Sequence, residues 1–569
     1  MNIKGQNNII NSSLHIPEVF IEYLRAKNIE GDEAIFKFLH PSLADLPKPQ
    51  LLKNLPEAAR LAVEYIIAKK PIIIWGDYDV DGTTGTALLV NFFRELGTQV
   101  EWYIPNRLNE GYGINLKWFD RRNKNLADDF LLITVDCGIS DHSKIEVIKN
   151  IGGKVIITDH HSLPEQSIPD CLVLNPSQPD CGFHDQHLAG VGVAFYLAAG
   201  IRAELSSHTL LSDVASTLNL KKYLAFVALG TIADIVPLAT TNRILVRAGL
   251  EALAEPHFIG LKELLLSCEI SGDQISTEDI GYLLGPKINA AGRLGESKIV
   301  VQLFIEQDQK IAKRLAQELT VLNIERRRIS SENLETALTT ISISLVERDR
   351  CVIARGDLHQ GVAGIVASRL VDKFRVPAIV FAKNTDPDGV IFYTGSARSV
   401  KGVNIVSLLA KCAEWIEKYG GHEMAAGLTV HGNNIKNFEA YFIALAREAM
   451  EELQVKPKKQ YDIRCSAELV MDKEYLNCFR LLEPFGPGNP QPIFQDPAVT
   501  IVDSRTVGRE SEHLQITVRG KFINFKGIGF NLGTQLDNVQ RTPNRMMIYT
   551  PTMNRFRGAI NWQIRVIDL

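Results

Sequence analysis

The sequence predicts an α/β protein: a domain built on a mostly parallel sheet, a long helix joining it to a smaller α/β domain, and a C-terminal β-barrel of OB type. Three observations carry this. From residue 71, short apolar strand patterns alternate with helical ones, as parallel strands joined by crossover helices require. Residues 299–346 contain neither proline nor glycine and repeat apolar side chains at helical spacing. Beyond 461 the pattern changes to short strands separated by turn residues. At 569 residues the chain is too long for one ordinary domain.

Taken in order, residues 1–70 hold short helical patterns at Pro17 to Lys27 and Asp32 to Leu39, broken by Pro41 and by DLPKPQ. They read as an N-terminal helical extension packed on the first domain. In residues 71–298 the strands are expected at 71–76, 99–105, 130–136 and 154–159, with helices near 84–97, 113–122 and 141–151. Residues 299–346 form the connector. Its stripe runs through Ile311, Leu315, Leu319, Leu322, Ile329, Leu334 and Leu338, and the arginines of IERRRI are expected on a solvated face. Residues 347–452 form the second α/β unit, and 451–460 has linker composition. Residues 461–569 complete the chain, with strands at 498–505, 513–519, 521–530, 545–551 and 559–568. Most aromatics of this last segment are expected in its core, with Arg555, Phe556 and Arg557 the better candidates for contact with nucleic acid.

Composition narrows the class. With 45% apolar and 22% charged residues this is a globular composition. No apolar run is long enough to span a bilayer, and MNIKGQNNII lacks a signal-peptide pattern, so a cytoplasmic protein with no membrane partner is expected. Eight scattered cysteines without a CxxC pair argue against a zinc site or disulfide framework. The net charge of −4 conceals an uneven distribution, because residues 498–569 carry ten Lys and Arg against five Asp and Glu. A local basic surface is enough for phosphate contacts.

The chemistry gathers where apolar elements end. The run PIIIW leads into GDYDVDGTTG (76–85), which sets Asp77, Asp79 and Asp81 at alternate positions in the crevice where open α/β sheets bind ligands. A solvated acidic turn would look the same in isolation. Three further elements end alike, however: LLITVD at Asp136, KVIITD at Asp159 followed by His160 and His161, and a helical run at Asp234. Carboxylates with one or two imidazoles suit Mn²⁺ or Mg²⁺ better than a thiolate-preferring metal. GVGVAF lacks the third glycine of a dinucleotide fingerprint and reads as a helix-packing segment. In the second α/β unit, Ser396 and Arg398 alternate and so share a face suited to a phosphate, and His422 follows two glycines. His359 reads equally as a ligand contact or a cap.

GDYDVDGTTG, LITVDCG, DHH and GTIADIVPL resemble, in that order, the four motifs of the DHH phosphoesterase superfamily. IPNRLNEGYGIN (104–115), LAGVGVAF (188–195) and GPKINAAGRLG (285–295) are similar to segments of its RecJ branch. GGHEMAAG (420–427) resembles the DHHA1 domain that accompanies DHH domains, and GSARS its phosphate-binding strand. The resemblance implies a metal-dependent enzyme of DNA recombination and repair that digests single-stranded DNA from the 5′ end. It implies two ions held by Asp79, Asp81, Asp136, His160 and Asp234, with Asp136 bridging. Asp77 and Asp159 would ligate or orient neighbours, and His161 would meet the scissile phosphate. Arg107, Ser396 and Arg398 would hold the 5′ phosphate, with Asn289, Arg293, Arg369 and His422 along the path. A single-strand-binding protein and a RecQ-type helicase are the implied partners of a monomeric enzyme. The alternatives are a nanoRNA or cyclic-dinucleotide phosphodiesterase and a non-catalytic single-strand-binding relative. One departure stands out: some superfamily members have a histidine ligand where this chain has Trp75, which would leave one ion short of a ligand.

Overall fold

Ile72–Gly76 (β1) organises the first domain, and all five of its residues are buried, as in a strand covered on both faces. The structure, a computed structural model, describes residues 16–569 except 123–127, 165–166, 184–186, 209–210, 271–274, 387, 454–460, 509 and 557–558. The side chains of 555, 556, 559 and 560 are also outside the description. The expected contacts Arg555, Phe556 and Arg557 therefore lie outside the described residues.

β1 pairs in parallel with Glu101–Tyr103 (β2) and Phe130–Val135 (β3). Gly153–Thr158 (β4) and Leu172–Leu174 (β5) complete an all-parallel sheet of order β2-β1-β3-β4-β5. The sequence pattern gave the first four strands; LVL is too short to register as one. The period of two sends Ile72 and Ile74 to one face, into a core shared with the helices Val80–Glu95 (α1), Gly190–Ser207 (α2) and Leu224–Ala233 (α3). Ile73 and Trp75 point to the other face, among Trp118, Phe119 and Phe130. The helix Gly285–Arg293 (α4) ends beside the acidic strand ends, with Gly292 against Tyr78.

The connector is not one helix. Lys298–Ile305 packs into the first domain's core, and the chain then breaks at Glu306–Asp308. Asp308 starts the next helix by accepting from the Lys310 and Ile311 N–H groups, an N-cap that the missing prolines and glycines could not reveal. The helix Gln309–Thr340 (α5) has 32 residues, so it is ~48 Å long. Ile343–Asp349 is separate.

In the second domain, Val352–Gly356 (β6), Ala378–Thr385 (β7), Ile391–Arg398 (β8), Lys418–His422 (β9) and Ala425–His431 (β10) form a sheet of order β6-β7-β8-β10-β9. Only β6 and β7 run parallel. The helix Ala363–Phe374 (α6) packs on β7 and β8.

At the C-terminus, Ile463–Arg464 (β11) precedes the strands Phe494–Val507 (β12), His513–Val518 (β13), Phe525–Gly529 (β14), Asn544–Phe556 (β15) and Ala559–Asp568 (β16). β12 pairs with β13 along its second half and with β15 along its first, either side of register shifts, and β14 pairs in parallel with β16. The five long strands therefore follow one another as β12-β13-β14-β16-β15 and return to β12, the OB arrangement.

The N-terminal extension divides. Leu55–Ile67 packs on the first domain, as expected, but Glu18–Ala26 and Asp32–Leu39 bury Phe20, Leu24, Ile35 and Leu39 in the barrel's core with Phe479, Phe494 and Tyr549. The buried Arg243 fastens the two units: its guanidinium donates to the carbonyls of Phe38 and Leu482. Both amphipathic helices were legible in the sequence, but the distant surface that covers them was not.

Candidate metal centre and phosphate pocket

The order β2-β1-β3 reverses direction at β1, so the carboxyl ends of β1 and β3 flank the crevice where such sheets bind ligands. Asp77 follows β1, Asp136 follows β3, Asp159 to His161 follow β4, and Asp234 ends α3 from the other side. Among the described residues, three groups of potential ligand atoms each fit within 4.8 Å: Asp77, Asp79 and Asp136; Asp81, His160 and Asp234; and Asp136, His160 and His161. The five expected ligands converge. Asp77 joins Asp79 and Asp136 as a member of the cluster itself, where the sequence left its duty open.

Each carboxylate is aimed by its backbone. Asp79 caps α1, accepting from the Gly82 N–H at 3.0 Å. Asp81 accepts from Gly190 and Val191 N–H at 2.6 and 2.9 Å, so the N-terminus of α2 receives a carboxylate of this chain where a dinucleotide fold would place phosphate. Asp136 adopts φ 60°, a left-handed conformation that Asp tolerates better than most residues, and its carbonyl accepts from the Tyr112 hydroxyl at 3.0 Å. Gly190 makes this packing possible, because a Cβ there would lie 2.7 Å from the Cβ of Asp136. Gly190→Ala is expected to cost about 1–3 kcal/mol of stability and to weaken Mn²⁺ binding. Thermal melts and Mn²⁺ titration check both effects, and unchanged Mn²⁺ affinity would show that this contact does not position Asp136.

Asp159 turns from the cluster. Its oxygens accept from Ile139 N–H and from the N–H groups of His160 and His161, and Oδ1 lies 2.8 Å from His161 Nδ1. Burial opposes ionisation of Asp159, yet these hydrogen bonds and His161 hold it below the usual carboxylate range. Burial likewise opposes the charged form of His161, but Asp159 raises its pKa to about 9. His160 goes the other way, lowered by burial and by His161 to about 4, so its imidazole is neutral with a lone pair to give.

The cluster fits a divalent cation by two observations. Asp77 Oδ1, Asp136 Oδ1 and His160 Nε2 are buried with no hydrogen-bond partner among the described residues, and Asp136 Oδ1 faces His160 Nε2 at 3.1 Å, a costly arrangement unless a cation takes them. Burial and mutual repulsion push Asp77 and Asp136 well above the carboxylate range, Asp81 to about 7 and Asp234 to about 8. Free carboxylates titrate near 4 and histidine near 6.5. Between about pH 6.5 and 8 the ion-free folded state therefore binds more protons than the unfolded chain, through Asp81, Asp234 and His161, and stability falls as pH rises. The melting temperature in chelator is expected to drop across that window and to recover with Mn²⁺. A flat profile would show that these carboxylates are not crowded.

Trp75 supplies no ligand. It is fully buried, stacks on Phe119 at 5.7 Å and donates to the Gly113 carbonyl, on the face of β1 that points away from α1.

Beside the cluster, a cavity of about 690 Å³ separates the first two domains. Arg107, Arg293, Ser396 and Arg398 line it together, and the lining contains no acidic side chain among the described residues. Arg398 Nη1 donates to Ser396 Oγ at 3.0 Å, so the two side chains do share a face. His422 is exposed but near enough to His160 to help lower its pKa. Asn289 lines a second cleft of about 700 Å³ with Arg293 and Arg326, reaching Phe485 and Pro487 of the C-terminal domain. Arg369 is exposed on α6, near Arg326, and lines neither cavity among the described residues. His359 acts as a cap, its Nδ1 accepting from Gly361 N–H.

Arg326 is the residue that sequence reasoning misplaced. It is half-buried in the second cleft, and its Nε has no partner among the described residues. The phase was legible, since Arg326 falls four residues after Leu322 and three before Ile329 on the apolar stripe.

Residues 71–231 match the DHH family, N-terminal domain; 348–448 match the DHHA1 domain; and 461–568 match the RecJ OB domain. The single-stranded-DNA-specific exonuclease RecJ of Bacillus subtilis is 34% identical over 98% of this chain and 69% of its own length. That of Escherichia coli is 34% identical over 91% of this chain and 90% of its own. This chain belongs to the RecJ family. The crystal structure of RecJ in complex with Mn²⁺ from Thermus thermophilus superposes with a TM-score of 0.79, at 27% identity, over 98% of this chain and 76% of that one. The RecJ family thus accounts for all three domains, and the same bacterium's RecJ has also been solved with Mg²⁺.

Proposed function

We propose that this chain is a metal-dependent exonuclease that hydrolyses single-stranded DNA from the 5′ end in recombination and repair. One observation carries the reading: buried, unpartnered carboxylate and imidazole atoms converge beside a cavity lined by arginines and no acids among the described residues. Asp77, Asp79, Asp81, Asp136, His160 and Asp234 would hold two Mn²⁺ or Mg²⁺ ions. When bound, such ions lower the pKa of an attacking water and neutralise charge on the scissile phosphate and leaving oxygen.

The protein supplies position and protons. Asp136 is grouped with Asp77 and Asp79 and also lies 3.1 Å from His160 of the second group, which supports it as the carboxylate the two ions would share. Asp159 holds His161 protonated through Nδ1, leaving Nε2 to donate to a phosphate oxygen. Arg107, Ser396 and Arg398 anchor the 5′ phosphate, which fixes the direction of digestion, and Arg293 and His422 flank the scissile bond. The strand leaves past Asn289 and Arg326 toward the barrel, with Arg369 outside the cleft. A dinucleotide-sized substrate would leave that cleft and the barrel unused. By family resemblance the enzyme works as a cytoplasmic monomer with a single-strand-binding protein and a RecQ-type helicase. Among the described residues no helix is long and apolar enough to cross a membrane.

Single strands labelled at either end, with duplex and dinucleotide controls, test the reading with and without Mn²⁺. Early release of 5′ label from long single strands, only with the metal, is expected. Early release of 3′ label, or faster hydrolysis of dinucleotides, would overturn it.

A further inference from the structure

The 5′-phosphate reading leaves part of the arginine cavity without a task. Arg398 and Ser396 occupy one end of a sheet face that continues, and alternation defines what it presents. Arg398, Ser396 and Thr394 of β8 are partly open while Ala397 and Gly395 between them are buried. Register places Ala425 beside Arg398, Gly427 beside Ser396 and Thr429 beside Thr394, and sets Gly420 and Lys418 of β9 opposite Gly427 and Thr429. The same face therefore runs from Arg398 through Ser396 and two glycines to Thr394, Thr429 and Lys418. A Cβ at Gly427 or Gly420 would meet nothing within 4 Å, so this floor is open space.

The far end is built for anions. Thr394 accepts from the Asn384 amide at 2.9 Å, which leaves its own hydroxyl proton to donate outward. Thr429 and Lys418 add a second hydroxyl and an exposed ammonium. All three line the same cavity as Arg398, with no acidic side chain among its described lining residues. Ser396 and Thr394 are two positions apart on the strand, about 7 Å, which is the reach of two further phosphoryl groups.

Resting on the exonuclease reading above, we infer that this groove is a binding site for a 5′-triphosphate. The first phosphate sits on Ser396 and Arg398, and the outer ones reach Thr394, Thr429 and Lys418. Such ends arise wherever a polymerase starts a chain from a nucleoside triphosphate. Hydrolysis adds water's oxygen to the phosphorus of the first internucleotide linkage and breaks its bond to the 3′ oxygen, which takes a proton. The terminal residue leaves as a nucleoside triphosphate, and the shortened strand carries an ordinary 5′ monophosphate. The groove therefore acts on the first turnover alone.

The test compares single strands bearing 5′-hydroxyl, monophosphate or triphosphate ends, in binding and in single-turnover release of the first residue. The triphosphate end is expected to bind about tenfold more tightly than the monophosphate, one to two additional charged contacts, with identical rates from the second residue on. Lys418→Ala and the double variant Thr394→Val, Thr429→Val should each reduce the triphosphate advantage while leaving monophosphate strands unaffected. Triphosphate binding no tighter than monophosphate would overturn the inference, as would a Lys418→Ala loss equal for both ends. If wild-type enzyme failed even on monophosphate strands, the exonuclease reading would fall and take the groove assignment with it.

Discussion

Asp136→Asn is expected to lower turnover about a thousandfold or more while single-strand binding survives. The carboxylate is grouped with Asp77 and Asp79 and also lies 3.1 Å from His160 Nε2 of the second group, so losing its charge is expected to weaken the hold on both ions together. Several kcal/mol of transition-state stabilisation depend on them. Asparagine is the informative replacement because Asp136 has φ 60°, where Asn is tolerated and Ala adds backbone strain. Asp136→Ala should also abolish cleavage, but with a stability loss that complicates its reading. The arginine cavity and the barrel remain in both variants. Near wild-type turnover in Asp136→Asn, with Mn²⁺ bound as before, would remove Asp136 from the centre of the mechanism.

Arg398→Ala is expected to weaken binding of 5′-phosphorylated strands by about ten- to a hundredfold, as for one lost charge-assisted contact. Arg398 is held by Ser396 Oγ and by the Ala397 carbonyl, and Gly364 of α6 leaves room for it, since a Cβ there would lie 2.7 Å from Nη2. The residue belongs to none of the cation groups, so Mn²⁺ stoichiometry should not change. Strands with a 5′ hydroxyl should lose much less affinity. Loss of bound metal would mean that Arg398 supports the fold between the domains and does not anchor the substrate.

The site was legible because its chemistry sits at interruptions of simple patterns. Asp77, Asp136 and Asp159 each end a run of apolar strand residues, and such runs are among the plainest signals in a chain. Asp81 illustrates the limit: its partners are the N–H groups of Gly190 and Val191, more than a hundred residues away. GVGV reads locally as a packing segment, which it also is. Trp75 stood out in the sequence as a residue without ligand chemistry, and period two explains where the indole went, to the aromatic face of β1 with Ile73. The second cleft was least legible, because α4, α5 and the loop at Phe485 come together only through tertiary packing. Arg326 could have been found by helical phase alone. The break at Glu306–Asp308 could not have been found by counting prolines, since an aspartate cap stops and restarts a helix as effectively.

The central claim is that the strand-end carboxylates and His160 form one cation centre of two ions. Calorimetric titration of the folded protein with Mn²⁺ tests it most directly. Two ions per chain, with protons released on binding near pH 7 and both sites weakened by Asp136→Asn, is the expected result. A single ion per chain at Mn²⁺ concentrations that sustain cleavage would contradict it.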